Sequence, residues 1–409
     1  MKGKWTILAL LCAAVLVYTL DRALLGVLAI PIQDETGISD IQFGVLNSAV
    51  FWAYAVCVPF AGLIGDRFDR RKIVAISIAV WSLMTVFAGF SCGFWTLLAL
   101  VSVGITVPQT LYSPSANALI ARVYRDSQAT AMGFHQAAFY TGWLVSGSAV
   151  AALLACFGGW RSAYFCFGAA GVALGIVFVW RSRRVSLGES AAPASAPIAW
   201  REALKAYFGC PSVLLAAIGY VSFVFVGFGY SAWGPKFVAE KFAVSPGLAG
   251  SGVMFWHYAA AFAAILVAGA VTDRCIARWP KFRLLLQSAV LVLTAPVLVV
   301  FGQTSAISVV WASAAVFGVL RGLFEANSYL SIFDVMPERY RSSAIGFTDV
   351  LAGLVGSLAP MLLGVLSEAY GSRGIEVGFA VFGGLLVLAA AALTVSVLFT
   401  FEKDRRRVS

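Results

Sequence analysis

Twelve long apolar runs set the terms for this chain. In hydrocarbon, a backbone N–H or C=O without a partner costs several kcal/mol, so a spanning segment is either a helix or a strand of a closed barrel. Barrel strands are short and alternate in polarity. Here the runs are continuous and reach about 20 residues or more, the length of a spanning helix. They fall near residues 5–31, 41–64, 73–92, 95–120, 129–156, 160–181, 211–237, 247–272, 283–302, 306–333, 343–370 and 375–401. With 61% hydrophobic and 12% charged residues among 409, nothing is left over for a sizeable soluble domain, and soluble enzyme classes drop out. The expected fold is an all-α membrane protein.

An even number of spans puts both termini on one side, and the basic residues indicate which. Lys2 and Lys4, Arg67 with Arg70 to Lys72, Arg122 with Arg125, and Arg181, Arg183, Arg184, Arg201 and Lys205 fall on the terminal side. So do Arg274, Arg278, Lys281, Arg283, Arg339, Arg341, Lys403 and Arg405 to Arg407, against four on the other face, Arg161, Lys236, Lys241 and Arg373. Positive loops resist translocation, so both termini are expected in the cytoplasm. The net charge of +10 then marks topology and contact with anionic membrane lipids. Nucleic acid is not an expected partner, because no aromatic-basic platform accompanies the charge. The opening "MKGKWTILALLCAAVLVYTL" has the outline of a signal peptide, but its apolar run continues past Asp21 to Ile30, and without it the span count becomes odd. Seven scattered cysteines lack any CxxC spacing, so neither a metal nor a disulfide framework is expected, and no cofactor is implied.

The chain divides in its middle. Residues 182–210 carry an Ala/Pro/Ser stretch and then "WREALKAYF", which reads as an interfacial helix. This gives a first six-helix bundle over 1–181 and a second over 211–409. Each half repeats the other: "GLIGDR" at 62–67 returns as "GAVTDR" at 269–274, and "ATAMGF" at 129–134 returns as "SSAIGF" at 342–347. Two pseudo-symmetric bundles follow from that repeat.

"GLIGDRFDRRK" resembles the loop between the second and third helices of the major facilitator superfamily, and the likeness covers essentially the whole chain. The resemblance implies a conformational latch made by Gly62, Asp66, Arg67, Arg70, Asp273 and Arg274, with the same residues also fixing topology. Gly62 permits close helix approach, and Asp66 can pair with arginines or cap a neighbouring helix. Asp69 departs from the pattern, since the superfamily usually has glycine there.

Substrate chemistry is expected among polar groups at membrane depth, where each costs free energy unless it is partnered or functional. These are Asp21 and Arg22, Gln109 and Tyr112, His135 and Gln136, His257 and Tyr258, Arg321 with Glu325 and Asn327, and Asp349. Arg321 and Gln109 fall near the middle of their spans, the depth at which such architectures hold a ligand. Arg321 and Glu325, four residues apart on one helix face, can neutralise each other. A substrate carboxylate could displace Glu325, which would then take up a proton; a permanent structural pair is the competing reading. His135 reads as a proton relay or a packing histidine, Asp349 as a gate or a cavity carboxylate, and His257 with Tyr258 as contacts for ligand hydroxyls.

"YTLDRALLG" at 18–26 is similar to helix 1 of the anion:cation symporter branch, and also resembles the Spinster-like lipid transporters. Carried over from the symporters, Arg22 anchors a substrate carboxylate and Asp21 takes part in proton coupling. A guanidinium forks onto a carboxylate and keeps its charge, whereas a buried carboxylate can change its own. A neutralised structural dipeptide is the alternative. "GITVPQTLYSPSANALIA" at 104–121 resembles the same branch, except that Gln109 stands where a glutamate is usual. A glutamine binds but carries no proton.

The expected function is secondary active transport of a small organic anion of the sugar-acid class (a hexonate or uronate) by proton-coupled alternating access. Export or flipping of a lysolipid or similar amphiphile is the alternative. The partners expected are the anionic small molecule, the proton and membrane lipids, with the protein monomeric in a bacterial inner membrane.

Overall fold

The computed structural model describes residues 2–124, 127–182, 200–276 and 278–407; within helices, the side chains of residues 2–4, 62–63, 65–67, 129, 270, 273 and 372 lie outside the described set. Among the described residues, twelve helices are long and apolar enough to cross a membrane: α1 (Trp5–Val27), α2 (Asp40–Ala61), α3 (Arg70–Ala88), α4 (Phe94–Val123), α5 (Thr130–Phe157), α6 (Arg161–Ser182), α7 (Pro211–Phe242), α8 (Pro246–Ile276), α9 (Phe282–Gln303), α10 (Ile307–Phe333), α11 (Glu338–Tyr370) and α12 (Arg373–Arg406). No strand occurs among the described residues.

Local chemistry sets the helix ends. Ser39 caps α2 by accepting from the Gln42 N–H, while the Gln42 side chain accepts from the Ser39 N–H. That reciprocal box satisfies two donors that a helix start leaves open. Asp69 caps α3 with a single bond, its Oδ1 accepting from the Arg71 N–H at 2.9 Å. The residue that departs from the superfamily pattern is therefore a helix cap. α1 yields at Leu28, resumes as a short helix over Ala29–Thr36, and stops at Gly37, whose φ of 69° suits a residue without Cβ. Proline and π turns shape two other spans: Pro114 lies inside α4, which passes through a π-helical stretch at Ala99–Ile105, and α12 has another at Ser396–Thr400.

Contacts divide the chain into two compact units, Met1–Ser190 with Ser231–Phe255, and Ala191–Tyr230 with Trp256–Ser409. The division passes through α7 and α8, so the end of α7 and the start of α8 belong with the first six helices. In the first unit, Lys236 of α7 is buried and ion-paired with Asp40 of α2 and with Glu240, and Trp233 meets Phe43 edge to face at 5.4 Å. Glu35 accepts from Trp160 Nε1 at 2.7 Å and pairs with Arg161, which also donates to the Ser91 carbonyl.

The core of the second unit is aromatic. Tyr230 packs on Phe301, Phe317 and Phe379, and Phe223 stacks on Phe324 at 4.3 Å. Asp404, near the end of α12, accepts from the Ser212 N–H at 3.0 Å and from its hydroxyl at 2.7 Å. An anion at the N-terminus of α7 is favoured by the helix dipole. Residues 183–199 of the expected linker lie outside the described residues, while Trp200–Phe208 forms a helix. It docks through Tyr207, which shares a hydrogen bond with Thr348 at 3.0 Å, and leaves Trp200 and Phe208 exposed.

Candidate functional site

In the first unit the polar residues of α1 diverge. Successive helical residues point about 100° apart, and Asp21 and Arg22 use that difference. Arg22 donates from Nη1 to the Tyr18 hydroxyl at 2.8 Å, one turn back on the same face. Its guanidinium lies 4.6 Å from the Tyr54 ring centre and 5.3 Å from that of Tyr18. Nη2 is buried without a hydrogen-bond partner among the described residues. A cation held over two aromatic faces keeps its charge and direction while retaining donors for a ligand. Asp21 is buried and turned towards α3, where its Oδ2 lies 3.2 Å from the hydroxyl of Thr85, which donates its proton to the Trp81 carbonyl at 2.9 Å.

Tyr18, Trp81 and Tyr112 form an aromatic cluster with ring centres 5.3–6.3 Å apart. The Tyr112 hydroxyl contacts the Leu11 carbonyl at 2.8 Å and His135 Nε2 at 3.2 Å. A carbonyl only accepts, so the single Tyr112 proton goes to Leu11 and His135 donates from Nε2. Tyr112 and His135 thus form a fixed chain across α4 and α5. Gln109, one turn before Tyr112, is fully buried, and neither its Oε1 nor its Nε2 has a hydrogen-bond partner among the described residues. It lies one turn beyond the π-helical stretch of α4, a distortion that recurs at functional positions in helices.

The second unit holds the other arginine. Arg321 donates from Nε to Glu325 Oε1 at 2.7 Å, with 21% and 29% of the two side chains exposed. Its Nη1 lies 3.3 Å from His257 Nε2 and 3.4 Å from the Tyr258 hydroxyl, and its guanidinium is 5.1 Å from the Tyr258 ring centre. An arginine only donates, so His257 accepts at Nε2 and is neutral. The glycines on either side of Arg321 bring these residues within reach: a Cβ on Gly318 would collide with the His257 carbonyl, and one on Gly322 would lie 2.5 Å from the Ala261 carbonyl. The small-xxx-small pair lets the α8 and α10 backbones touch.

The structure does not bring every predicted residue to Arg321. Asn327 is buried elsewhere on α10: its amide donates to the Leu323 carbonyl at 2.9 Å and to Thr272 at 3.3 Å, and its oxygen accepts from Arg283. Arg283 also pairs with Asp334 at 2.5 Å. That polar network joins α8, α9 and the end of α10, and its Arg283–Asp334 member was not anticipated, because the partners lie on different helices with no spacing signal. Asp349 accepts from the Tyr329 hydroxyl at 3.1 and 3.2 Å, and Tyr329 also contacts Tyr220 at 3.3 Å. Of the expected latch, the side chains of Gly62, Asp66, Arg67 and Asp273 lie outside the described residues. Arg70 opens α3 and Arg274 is exposed near the end of α8. Among the described residues no group of His, Cys, Asp and Glu could hold a metal ion.

A family model described as Major Facilitator Superfamily matches residues 10–360. An MFS-type efflux pump of Mycolicibacterium smegmatis is 26% identical over 404 residues, covering 96% of this chain and 90% of the pump. The hexuronate transporter of Bacillus subtilis is 23% identical over 405 residues, covering 96% of this chain and 94% of that protein. The crystal structure of a bacterial homolog of the human lysosomal transporter Spinster, inward-facing and unoccupied, matches with a TM-score of 0.84 and 21% identity over 98% of each chain. That likeness is one of fold.

Proposed function

The chain belongs to the major facilitator superfamily and is a multi-pass membrane transporter, not an enzyme, and from that premise we propose that it moves a small organic anion of the sugar-acid class, coupled to protons, by alternating access. One observation carries the reading: Arg321 is held at membrane depth by a carboxylate four residues away, beside a neutral histidine and a tyrosine hydroxyl. Glu325 occupies the guanidinium as a substrate carboxylate would. An arriving uronate or hexonate takes the Arg321 fork, with Tyr258 and His257 at its hydroxyls. Glu325, released from its cation, then holds the proton that accompanies the substrate. Within the first unit, Arg22 is likewise assigned to anion binding, its Nη2 donor held by Tyr18 and Tyr54, with Gln109 as a neutral hydrogen-bonding group of the same unit. Asp21, Asp349 and His135 are assigned to proton movement, and Arg70 and Arg274 to the latch. The positive-loop bias supports cytoplasmic termini in a plasma membrane.

The test is uptake of labelled glucuronate and gluconate into proteoliposomes, with and without an inward proton gradient. Gradient-stimulated uptake of either is the expected result, and no movement of either anion in both conditions refutes the assignment. Gln109 favours a second reading, export of an amphiphile, because it removes the charge that the symporter pattern places there; lysolipid movement in the same vesicles without sugar-acid uptake would establish it.

A further inference from the structure

The helix at Trp200–Phe208 leaves an apolar stripe uncovered. At about 100° per residue, Trp200, Leu204 and Phe208 follow one another along one side of it, with Arg201 and Lys205 beside them. Ala203 and Tyr207 face the other way and are buried. Trp200 is 65% exposed and Phe208 60%. Arg201 and Lys205 are exposed as well, and neither pairs with a carboxylate among the described residues. The Arg201 guanidinium lies 5.7 Å from the Trp200 ring centre.

Chain connectivity sets the level of this helix. Only Gly209 and Cys210 separate Phe208 from Pro211, the first residue of α7, and so short a connection reaches no further than about 11 Å. The same end of the second unit gathers more residues of this kind. Asp404 ties the end of α12 to the start of α7, and Lys281, just before α9, pairs with Glu402 at 3.7 Å. Trp279, Arg278 and Lys403, close to that pair in sequence, are all exposed. Exposed tryptophans and basic side chains at one end of a spanning bundle mark the headgroup level of a membrane.

This surface discriminates between occupants. The apolar stripe fits the acyl boundary, where the aromatic residues of an interfacial helix insert. A zwitterionic headgroup carries its own cation beside the phosphate and gains little from Arg201 and Lys205. An anionic phospholipid offers an unbalanced phosphate to both. The buried side of the helix leads inwards: the Tyr207 hydroxyl shares a hydrogen bond with Thr348 of α11 at 3.0 Å, and its ring meets Phe347 edge on at 5.6 Å. Thr348 precedes Asp349, the carboxylate that accepts from Tyr329. We propose that Trp200–Phe208 is a docking surface for anionic phospholipid, and that Tyr207 passes the presence of that lipid to α11.

The test places the full-length protein in nanodiscs of phosphatidylcholine with a fixed fraction of phosphatidylglycerol, with a bromine quencher on one lipid or the other. The difference in tryptophan fluorescence between wild type and Trp200→Phe isolates the signal of Trp200. Brominated phosphatidylglycerol quenches that signal more than the same fraction of brominated phosphatidylcholine, and Arg201→Gln and Lys205→Gln each lower the preference about fivefold. Hydrogen exchange over residues 341–348 slows severalfold when phosphatidylglycerol is present. Tyr207→Phe keeps the ring and loses the hydroxyl, so it abolishes the exchange response and leaves the quenching preference in place. Thr348→Val removes the other half of the same bond and does likewise, which decides the matter if one of the two does not fold. Equal quenching of Trp200 by both lipids, or a preference that survives Arg201→Gln combined with Lys205→Gln, overturns the docking surface. Exchange that ignores the lipid, or that responds equally in Tyr207→Phe and Thr348→Val, overturns the link to α11. No transport substrate is present in these measurements, so this surface can fail while the anion reading stands, and the reverse.

Discussion

Glu325→Gln separates the two roles assigned to Glu325, competitor and proton carrier. The wild-type contact is a charge-assisted hydrogen bond of 2.7 Å between partly exposed side chains, and bonds of that kind contribute about 1.5–3 kcal/mol against about 0.5–1.5 for a neutral one. Glutamine keeps the shape and the acceptor oxygen, so the competition for Arg321 weakens by about 1–1.5 kcal/mol, which corresponds to roughly five- to tenfold tighter anion binding. The same change removes the protonatable group. The variant should therefore bind glucuronate or gluconate more tightly in an equilibrium assay with purified protein. In proteoliposomes it should exchange internal for external anion yet fail to accumulate it against a gradient when the outside is acidified. Unchanged or weaker binding would show that Glu325 does not compete with the substrate. Accumulation at the wild-type level would show that the proton is carried elsewhere.

Arg321→Lys keeps the charge and loses the fork that reaches Glu325, His257 and Tyr258 together; anion binding should fall about tenfold or more with little change in melting temperature, and wild-type affinity would mean that charge alone suffices. Gly322→Val adds atoms where a Cβ already lies 2.5 Å from the Ala261 carbonyl and 2.7 Å from Ala264 Cβ. Overpacking of this kind costs about 1–3 kcal/mol, so melting should drop and anion affinity should drop with it as α8 is pushed from α10. Gly346→Ala, where nothing lies within 4 Å of the added Cβ, is the control that should leave both unchanged, and an equal loss in the control would refute the packing argument.

The spans were legible because hydrocarbon enforces them. The ninth and tenth runs, expected at 283–302 and 306–333, are helices at Phe282–Gln303 and Ile307–Phe333. Where backbone chemistry decides, the apolar pattern goes blind. The first run was expected to continue to residue 31, but the helix yields at Leu28 and re-forms over Ala29–Thr36, since hydropathy does not register a change of helix axis. The π-helical stretch of α4 likewise leaves no trace in apolar composition. Its signs are polar and local: Thr106 bonds the carbonyl five residues back at 2.8 Å, and Pro108 lacks the N–H that would bond residue 104.

Site residues were legible in proportion to how far their partners lie along one helix. Four residues turn a helix through about 400°, which returns Glu325 to the side of Arg321, so that pair is written in the spacing. Six residues turn it through about 600°, which carries Asn327 to another face, where Thr272 and Arg283 take it. Grouping Asn327 with Arg321 relied on proximity in sequence, and the same arithmetic argues against it. Adjacent residues diverge for the same reason, which is why Asp21 and Arg22 serve different neighbours. His257 belongs to another helix, and no periodicity could assign it to Arg321. The available signal is the pair of glycines at 318 and 322. Small residues one turn apart mark where two backbones can touch, and the arginine between them is then placed to meet whatever polar group the crossing helix presents. A buried charge flanked by such a pair has its partner on a neighbouring helix as well as its own.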